Sequence, residues 1–311
     1  MANSVVPYYQ QHLKFDSFIG QSGIPIVFST YVLPDEKGAL VLIGGRTEYM
    51  RKYAELVYDL RDLGYSVYLM DHRGQGLSGR MLPDSHKGHV DSFADYVADF
   101  KTFITKVVKP ETHRQTFVIA HSMGAAIVTR FLQQNSVSFD GVVFSAPMFE
   151  INTGFLPESF ALFVVRLLST LGFADAYSPG SKDFTTQKPF FNNDLTHSQS
   201  RYSFNNEYVA QNPGLALGAP TNGWVREALQ VTRDILTDSK KLHTPILLLL
   251  AGQDKVVLAG RQAQFCRAAT QCQQVVFPDA LHEILMERDG TRDQAINRIR
   301  RFLSGEQSGK N

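Results

Sequence analysis

Short, uninterrupted apolar runs recur along the chain, and segments with helical spacing of apolar residues separate them. Runs such as ALVLIG, TFVIA and PILLLLA show no alternation of apolar and polar positions. Strands of a parallel sheet that helices cover on both sides have this pattern, because both of their faces are buried. The pattern therefore predicts a mostly parallel, doubly wound α/β sheet, in which the first strand or two form an antiparallel edge.

Seven strands and six helices are predicted from these patterns. The strands are expected at 24–33, 39–44, 66–70, 116–120, 141–145, 246–251 and 274–277. The helices are expected at 48–63, 93–107, 122–134, 224–237, 259–269 and 292–303. Strands and helices alternate in the first and the last part of the chain, which favours a single α/β core.

The segment 149–222 interrupts this alternation. It shows no strand pattern and is rich in Phe, Asn, Ser and Pro. Six of its apolar residues fall on one helical face: Phe160, Phe163, Val164, Leu167, Leu168 and Leu171. We interpret the segment as a helical cap inserted into a core formed by 1–148 and 223–311, and we expect the apolar face to pack on that core.

The composition narrows the class of protein. The chain has 311 residues, 20% of them charged, and a formal net charge of +1. This balance is ordinary for a globular enzyme and lacks the basic excess of a nucleic-acid-binding protein. Two cysteines, Cys266 and Cys272, indicate neither a disulfide framework nor a zinc site and fit a reducing compartment. The first residues lack the basic start and apolar core of a signal peptide.

A serine lies at the junction of a predicted strand and a predicted helix. The stretch AHSMG places Ser122 between Ala120 and Gly124. At a tight strand-to-helix turn a serine is held in a strained conformation with its oxygen exposed, and small residues must stand two positions before and after it. Ser122 is therefore a candidate nucleophile, although a serine before a helix is also a common N-cap.

Two further residues complete a catalytic pattern. A serine hydroxyl needs a base to take its proton, and a histidine oriented by a carboxylate serves this purpose. In this architecture the chain order is serine, acid, histidine, with the last two in loops after late strands. Asp254 follows the strand predicted at 246–251, and His282 follows the one at 274–277. We predict Ser122, Asp254 and His282 as a catalytic triad.

An oxyanion hole is expected between two loops. Gly44 and Gly45 end the strand predicted at 39–44 and allow the backbone to approach a substrate closely, unless they form a plain turn. We predict that the backbone N–H groups of Arg46 and Met123 bind the oxyanion. Gly45 is also expected to border the substrate.

Three other motifs receive different interpretations. The stretch GQGLSG at 74–79 matches a dinucleotide-binding pattern, but no helix is predicted after it, so we expect a glycine-rich loop beside the active site. His86, His89 and Asp91 lack the spacing of a metal site, and no metal is expected. His121 adjoins the candidate nucleophile and is expected to pack or to line the substrate pocket rather than act as the base.

Longer stretches resemble a known family. GHVDSFADYVADF, AHSMGAAI, THSQSRY, WVREAL and HEILMER are similar to bacterial lysophospholipases of the L2 family and, more loosely, to monoacylglycerol lipases of the α/β-hydrolase superfamily. The resemblance runs from about Tyr8 to Phe302. It implies an α/β-hydrolase fold and hydrolysis of the remaining acyl ester of a lysophospholipid to a fatty acid and a glycerophosphodiester. It also implies no cofactor, and a cytoplasmic enzyme attached peripherally to the inner membrane of a Gram-negative bacterium.

Head-group recognition is assigned to arginines. Arg201 and Arg226 lie in polar stretches of the cap and its exit, and we expect one of them, or the side chain of Arg46, to contact the phosphodiester. An ordinary surface role is the alternative. A fold and a triad do not fix the substrate, so a monoacylglycerol lipase or a general carboxylesterase stays possible. A non-enzymatic lipid-binding protein of this fold is disfavoured, because all three triad residues are present.

Overall fold

A computed structural model describes residues 3–181, 183–184 and 189–306, and one eight-stranded sheet forms its centre. The strands are β1 (Lys14–Ile19), β2 (Pro25–Tyr31), β3 (Gly38–Ile43), β4 (Tyr65–Met70), β5 (Thr116–His121), β6 (Gly141–Ser145), β7 (Ile246–Ala251) and β8 (Cys272–Phe277). Their order in the sheet is β1-β2-β4-β3-β5-β6-β7-β8. The pairs β1·β2 and β2·β4 are antiparallel and the other five are parallel, which confirms the predicted sheet and its antiparallel edge.

Helices cover both faces of the sheet. They are α1 (Val5–His12), α2 (Ala54–Leu60), α3 (Phe93–Phe103), α4 (Met123–Gln134), α5 (Glu158–Leu168), α6 (Gln199–Gln211), α7 (Asn222–Thr237), α8 (Ala259–Ala268) and α9 (Asp289–Leu303). One core joins the sheet to α3, α4, α7 and α8, and the other joins it to α1, α2 and α9. Val41 of β3 faces the first core and Leu42 faces the second, which explains why the central strands are apolar at every position.

Three elements of the structure were not predicted. The sequence of β1 is mostly exposed and polar, so it lacks the apolar run that marks the buried strands. Helix α1 carries Pro7, which is tolerated because it stands in the first turn. Helix α6 is rich in Ser and Asn and buries only Arg201 and Tyr202, so its sequence carries little helical signal.

The two cysteines correct another expectation. Cys266 in α8 and Cys272 at the start of β8 form a disulfide bond. The turn between the helix and the strand brings their Cα atoms to 5.2 Å, a separation that a disulfide spans. The prediction that the cysteines stay unpaired was therefore wrong, and they no longer indicate a reducing compartment.

The segment between β6 and α7 contains α5 and α6, and in its described part it adds no strand to the sheet. Residues 182 and 185–188 of the predicted cap lie outside the described residues. The division into a core and a cap at 149–222 stays a prediction. Among the described residues, no helix has the length and apolar character that crossing a bilayer requires.

The apolar face predicted at 160–171, which α5 and the turn Ser169–Phe173 form, does not pack on the core. Phe160, Phe163, Leu167 and Leu171 are between 47% and 62% exposed. The buried residues of α5 are Leu162 and Val165, which contact Leu229 of α7. The expectation that the apolar face packs on the core was therefore wrong. Helix α5 contacts the core mainly through Leu162 and Val165, and its large apolar side chains face outward.

Candidate active site

The turn between β5 and α4 has the strain that a nucleophilic serine requires. Ser122 has φ +50° and ψ −115°, a conformation that side-chain-bearing residues rarely adopt. Its side chain makes no N-cap hydrogen bond, so the capping interpretation is excluded. A Cβ atom at position 124 would lie 2.5 Å from the carbonyl oxygen of Gly44, which explains why glycine stands there. The turn therefore directs the Ser122 hydroxyl away from its own helix.

A hydrogen-bonded relay joins the three residues predicted as a triad. His282 Nε2 lies 3.0 Å from Ser122 Oγ, and His282 Nδ1 lies 2.7 Å from Asp254 Oδ2. The other oxygen of Asp254 accepts the backbone N–H groups of Val256 and Val257. Because the Asp254 carboxylate accepts the hydrogen bond from Nδ1, Nδ1 carries the imidazole proton and Nε2 faces the serine hydroxyl with a lone pair. This is the arrangement in which a histidine takes the proton of a serine.

Parallel strands bring these residues together. Ser122, Asp254 and His282 follow β5, β7 and β8, and the carboxyl ends of parallel strands meet at one edge of the sheet. The side chains of Asp254 and His282 are 2% and 6% exposed, which shields the relay from water. Low polarity around such a relay strengthens its electrostatic interactions.

The segment Gly44–Glu48, which we call the oxyanion loop, lies against the nucleophile. A Cβ atom on Gly45 would approach Ser122 Cβ within 3.1 Å. Gln75 Nε2 donates to the carbonyl oxygens of Gly45 (2.7 Å) and Glu48 (3.0 Å) and holds the loop. Among the hydrogen bonds of the described residues, none uses the backbone N–H of Arg46 or of Met123. Both groups thus remain available to an oxyanion, and their role stays a prediction.

His121 packs against the histidine of the triad. Its Nδ1–H donates to the carbonyl oxygen of Ser145 (3.0 Å), and its ring centroid lies 4.7 Å from that of His282. Burial lowers the pKa of His121 below its ordinary value. The ring is therefore neutral and packs against the His282 imidazole. No contact of His121 with the Ser122 hydroxyl is formed.

The glycine-rich loop and the histidine motif have structural partners. Gln75, in the loop 74–79, is the residue that holds the oxyanion loop, so this loop does lie beside the active site. His89 contacts Thr221 Oγ1 at 2.8 Å and Asp91 at 3.2 Å. In the described part of the chain, no group of three His, Cys, Asp or Glu side chains is arranged to hold a metal ion. The absence of a metal and of a cofactor stays a prediction.

The three arginines predicted to bind a head group each have other partners. Arg46 donates to the carbonyl oxygen of Gly218 (2.6 Å), and its guanidinium lies 5.2 Å from the centre of the Trp224 ring. Arg201 forms a two-pronged ion pair with Glu55, with both N···O distances 2.8 Å.

Arg226 pairs with Glu227 at 3.1 Å and donates to the carbonyl oxygen of Asp91. Arg201 and Arg226 are thus paired with carboxylates, whereas Arg46 has no carboxylate partner among the described residues and its buried Nε makes no hydrogen bond. The structure therefore gives no support to a phosphodiester contact by Arg201 or Arg226, and a contact by Arg46 stays a prediction.

Sequence reasoning missed a group of buried charges beside the triad. Lys52, in the turn Met50–Tyr53 before α2, contacts both Glu48 and Glu283. Glu283 directly follows the histidine of the triad. Charged residues in a predicted helix and loop usually lie at the surface, so the pattern alone gave no signal of burial.

Comparison with known proteins agrees with this geometry. The profile of the serine aminopeptidase S33 family matches residues 34–289. The chain belongs to this family. It is also similar to lysophospholipase L2 of Escherichia coli strain K12, with 37% identity over 295 residues, which cover 92% of this chain and 86% of that protein. A monoacylglycerol lipase of Mycolicibacterium smegmatis is 25% identical over 277 residues, which cover 87% of this chain and 90% of that protein.

Solved structures confirm the predicted fold. A thermostable carboxyl esterase of Bacillus coagulans, determined with glycerol, superposes with a TM-score of 0.77. The match covers 94% of this chain and 98% of the esterase. Because the identity is only 19%, the match supports the α/β-hydrolase fold and no shared activity. Family and fold together confirm the predicted resemblance.

Proposed function

We propose that the protein is a serine esterase that hydrolyses the acyl ester of lysophospholipids. The observation that carries the proposal is the relay from Ser122 through His282 to Asp254, built on a strained turn. The substrate class rests on the similarity to lysophospholipase L2 over nearly the whole chain. The peptidase name of the family does not conflict with this substrate, because a Ser-His-Asp triad serves ester as well as amide hydrolysis and does not fix the substrate.

The reaction follows from the relay in two acyl transfers. His282 Nε2 takes the Ser122 proton as Oγ attacks the ester carbonyl, and the backbone N–H groups of Arg46 and Met123 bind the resulting oxyanion. Each such donor lowers the barrier by about 3 kcal/mol. The tetrahedral intermediate collapses, His282 gives its proton to the leaving glycerol oxygen, and an acyl-enzyme remains. Water, deprotonated by His282, then releases the fatty acid and restores the serine.

The central test replaces the nucleophile. Ser122→Ala should lower kcat about 10⁴-fold or more on a lysophosphatidylethanolamine, because the acyl-enzyme cannot form. Its urea unfolding midpoint should match the wild type, since the hydroxyl makes no cap bond. A fluorophosphonate should label the wild type and leave the variant unlabelled. Near-full activity of the variant would contradict the assignment.

A monoacylglycerol is the second candidate substrate. It is favoured by the pairing of Arg201 with Glu55 and of Arg226 with Glu227, which leaves these two arginines no described role at a phosphate. The value of kcat/KM on lysophosphatidylethanolamine, lysophosphatidylcholine and monoacylglycerol of one chain length separates the two. A clear lead for the phospholipids supports the lysophospholipase, and equal or faster monoacylglycerol cleavage supports a neutral-lipid hydrolase.

We further propose peripheral contact with a lipid bilayer, on the cytoplasmic side of the inner membrane. The surface that supports it is the outward face of α5 with the turn Ser169–Phe173 that follows it, made of Phe160, Phe163, Leu167 and Leu171. A row of large apolar side chains on one side of a helix suits the boundary between head groups and acyl chains. Fractionation with protease protection in spheroplasts tests the location, and the vesicle experiment below tests the surface.

A further inference from the structure

Buried charges connect two parts of the active site. Lys52 Nζ lies 2.9 Å from Glu48 Oε1 and 2.5 Å from Glu283 Oε1. The three side chains are between 6% and 10% exposed. Glu48 ends the oxyanion loop, and Glu283 belongs to residues 281–287, which we call the histidine loop. One ammonium group thus contacts both loops.

Glu48 fixes the oxyanion loop from inside. Its second carboxylate oxygen accepts the backbone N–H of Gly45 and the hydroxyl of Tyr53. Burial acts to raise the pKa of Glu48, but the positive charge of Lys52 and the hydrogen bonds from Lys52 and Tyr53 outweigh it and hold the pKa well below its ordinary range. The carboxylate therefore stays ionised and keeps its hold on the peptide that precedes the Arg46 N–H.

Glu283 fixes the histidine loop. Its backbone N–H donates to the carbonyl oxygen of Leu195 (2.8 Å), and its carboxylate is held by Lys52. The residue before it is the base, His282. An anchor one residue away limits how far the imidazole can shift from Ser122 Oγ.

We propose that Lys52 is a positioning residue: its ammonium joins the oxyanion loop to the histidine loop and fixes the distance between the oxyanion donor and the base. This role rests on the proposed function. A displacement of about 1 Å in a catalytic group costs about 100-fold in rate. Loss of this connection should therefore lower kcat strongly, although Lys52 contacts neither the substrate nor the acyl group.

A purely stabilising role explains the arrangement poorly. Two carboxylates and one ammonium removed from water lose hydration that their mutual attraction barely offsets, and apolar residues of similar size are usually as stabilising. The connection also runs between loops rather than between helices of the core. Both features favour a role in geometry.

The activity test uses Lys52→Met and a milder variant. We expect Lys52→Met to lower kcat on p-nitrophenyl butyrate about 30-fold to 100-fold with KM within threefold, and Lys52→Arg to restore kcat to within fivefold. Glu283→Gln leaves the pair of Lys52 and Glu48 intact, so it should fold in any case and should lose about tenfold in kcat. Arg130→Met removes an ion pair away from the active site, between α4 and Asp238 at the end of α7, and should leave kcat unchanged.

The three variants distinguish a positioning role of Lys52 from a purely stabilising role. Active sites are counted by fluorophosphonate titration, so that kcat refers to folded protein. Wild-type kcat per titrated site in both Lys52→Met and Glu283→Gln would overturn the proposal. A fall in kcat that Arg130→Met shares would do the same, because it would reflect lost stability alone.

A measurement without substrate distinguishes failure of this inference from failure of the proposed function. Amide hydrogen exchange should accelerate at least tenfold in both the oxyanion loop and the histidine loop of Glu283→Gln or Lys52→Met, and in neither loop of Arg130→Met. Unchanged exchange in these loops overturns the role of Lys52. If the wild type does not hydrolyse lysophospholipids, faster exchange in both loops still supports the connection.

Discussion

The two helices of the cap segment, α5 and α6, attach to the core by different means. Helix α5 lies on α7 through Leu162 and Val165, and Glu158 in its first turn pairs with Arg233 and Arg261. On its outer side Phe160, Phe163 and Leu167 are exposed. Its supports, α7 and α8, carry none of the triad residues.

Helix α6 is attached by charges and rings. Arg201 pairs with Glu55 and Asp289 and donates to the carbonyl oxygen of Glu287 (2.8 Å). The guanidinium of Arg51 lies 3.6 Å from the centre of the Tyr208 ring, a cation–π contact. These partners of α6 belong to α2, to α9, to the histidine loop and to the turn Met50–Tyr53 before α2.

The difference assigns separate tasks to the two helices. Glu287, which accepts the N–H of Leu281 and contacts His197, ties the segment before α6 to the histidine loop. Thr196 Oγ1 donates to the carbonyl oxygen of Met286 (2.7 Å). Substitutions in α6 should therefore change kcat. Substitutions on the outer face of α5 should change only the binding of other molecules.

Among substitutions in the two cap helices, Arg201→Ala should have the largest effect. The substitution leaves Glu55 partly buried without its main partner, and loss of one member of such a pair costs about 3 kcal/mol of unfolding free energy. Because Arg201 also holds the end of the histidine loop, kcat should fall about tenfold even in the folded protein. Urea unfolding and titrated kcat on p-nitrophenyl butyrate measure the two effects.

Arg226→Ala is the matched control for this prediction. Arg226 is more exposed and pairs with its chain neighbour Glu227, so its loss should change the unfolding free energy by no more than about 0.5 kcal/mol. Equal effects of the two substitutions would show that α6 has no special connection to the active site.

The outer face of α5 should produce an intermediate effect. Phe163 and Leu167 are 60% and 47% exposed. Burying the exposed part of each side chain in a bilayer should contribute about 1 kcal/mol to the binding free energy. Phe163→Ser with Leu167→Ser should therefore weaken binding to phosphatidylethanolamine–phosphatidylglycerol vesicles about 30-fold in a sedimentation assay.

Hydrolysis of p-nitrophenyl butyrate by the same double variant should stay at the wild-type level, because no triad residue contacts this face. A matched control changes apolar residues on the opposite edge of the molecule, Phe15→Ser with Ile19→Ser in β1. If both double variants bind vesicles as the wild type does, α5 is not the lipid-facing surface.

The sequence predicted the sheet and the triad for a shared reason. Buried parallel strands are continuous apolar runs, and their carboxyl ends must meet at one edge, so Asp254 and His282 could be assigned to the site from strand order alone. Ser122 was found because a tight turn restricts its neighbours to small residues. These are local constraints that a single sequence displays.

The cap and the charged connections could not be predicted in this way. The apolar residues of α5 have the same spacing whether they face the core or the solvent, and only the neighbouring helix decides which. Helix α6 forms because Arg201 and Tyr208 find partners far away in the chain, against a sequence of weak helical propensity. A lysine such as Lys52 looks the same in sequence whether it is buried between two carboxylates or solvated.

The last effect should appear on acidification, through the carboxylate that pairs with Arg201. Burial acts to raise the pKa of Glu55, but the hydrogen bond from Arg201 and the charges of Arg292 and Arg201 outweigh it, so the pKa is lowered in the folded state. A carboxyl group with a lowered folded pKa stabilises the fold above its unfolded pKa of about 4.3, and the contribution is lost as the pH falls through the folded value.

Glu55→Gln should therefore lower the thermal midpoint at pH 7 and have no effect once the pH is well below 4, where the wild type has lost the same charge. The mutation of α5, Phe163→Ser with Leu167→Ser, removes no titrating group, so its small effect on the midpoint should be independent of pH. Differential scanning fluorimetry between pH 3 and 7 measures both. A Glu55→Gln effect that stays the same across this whole range would mean that the charge of Glu55 does not hold α6, and the electrostatic attachment assigned to this helix would be wrong.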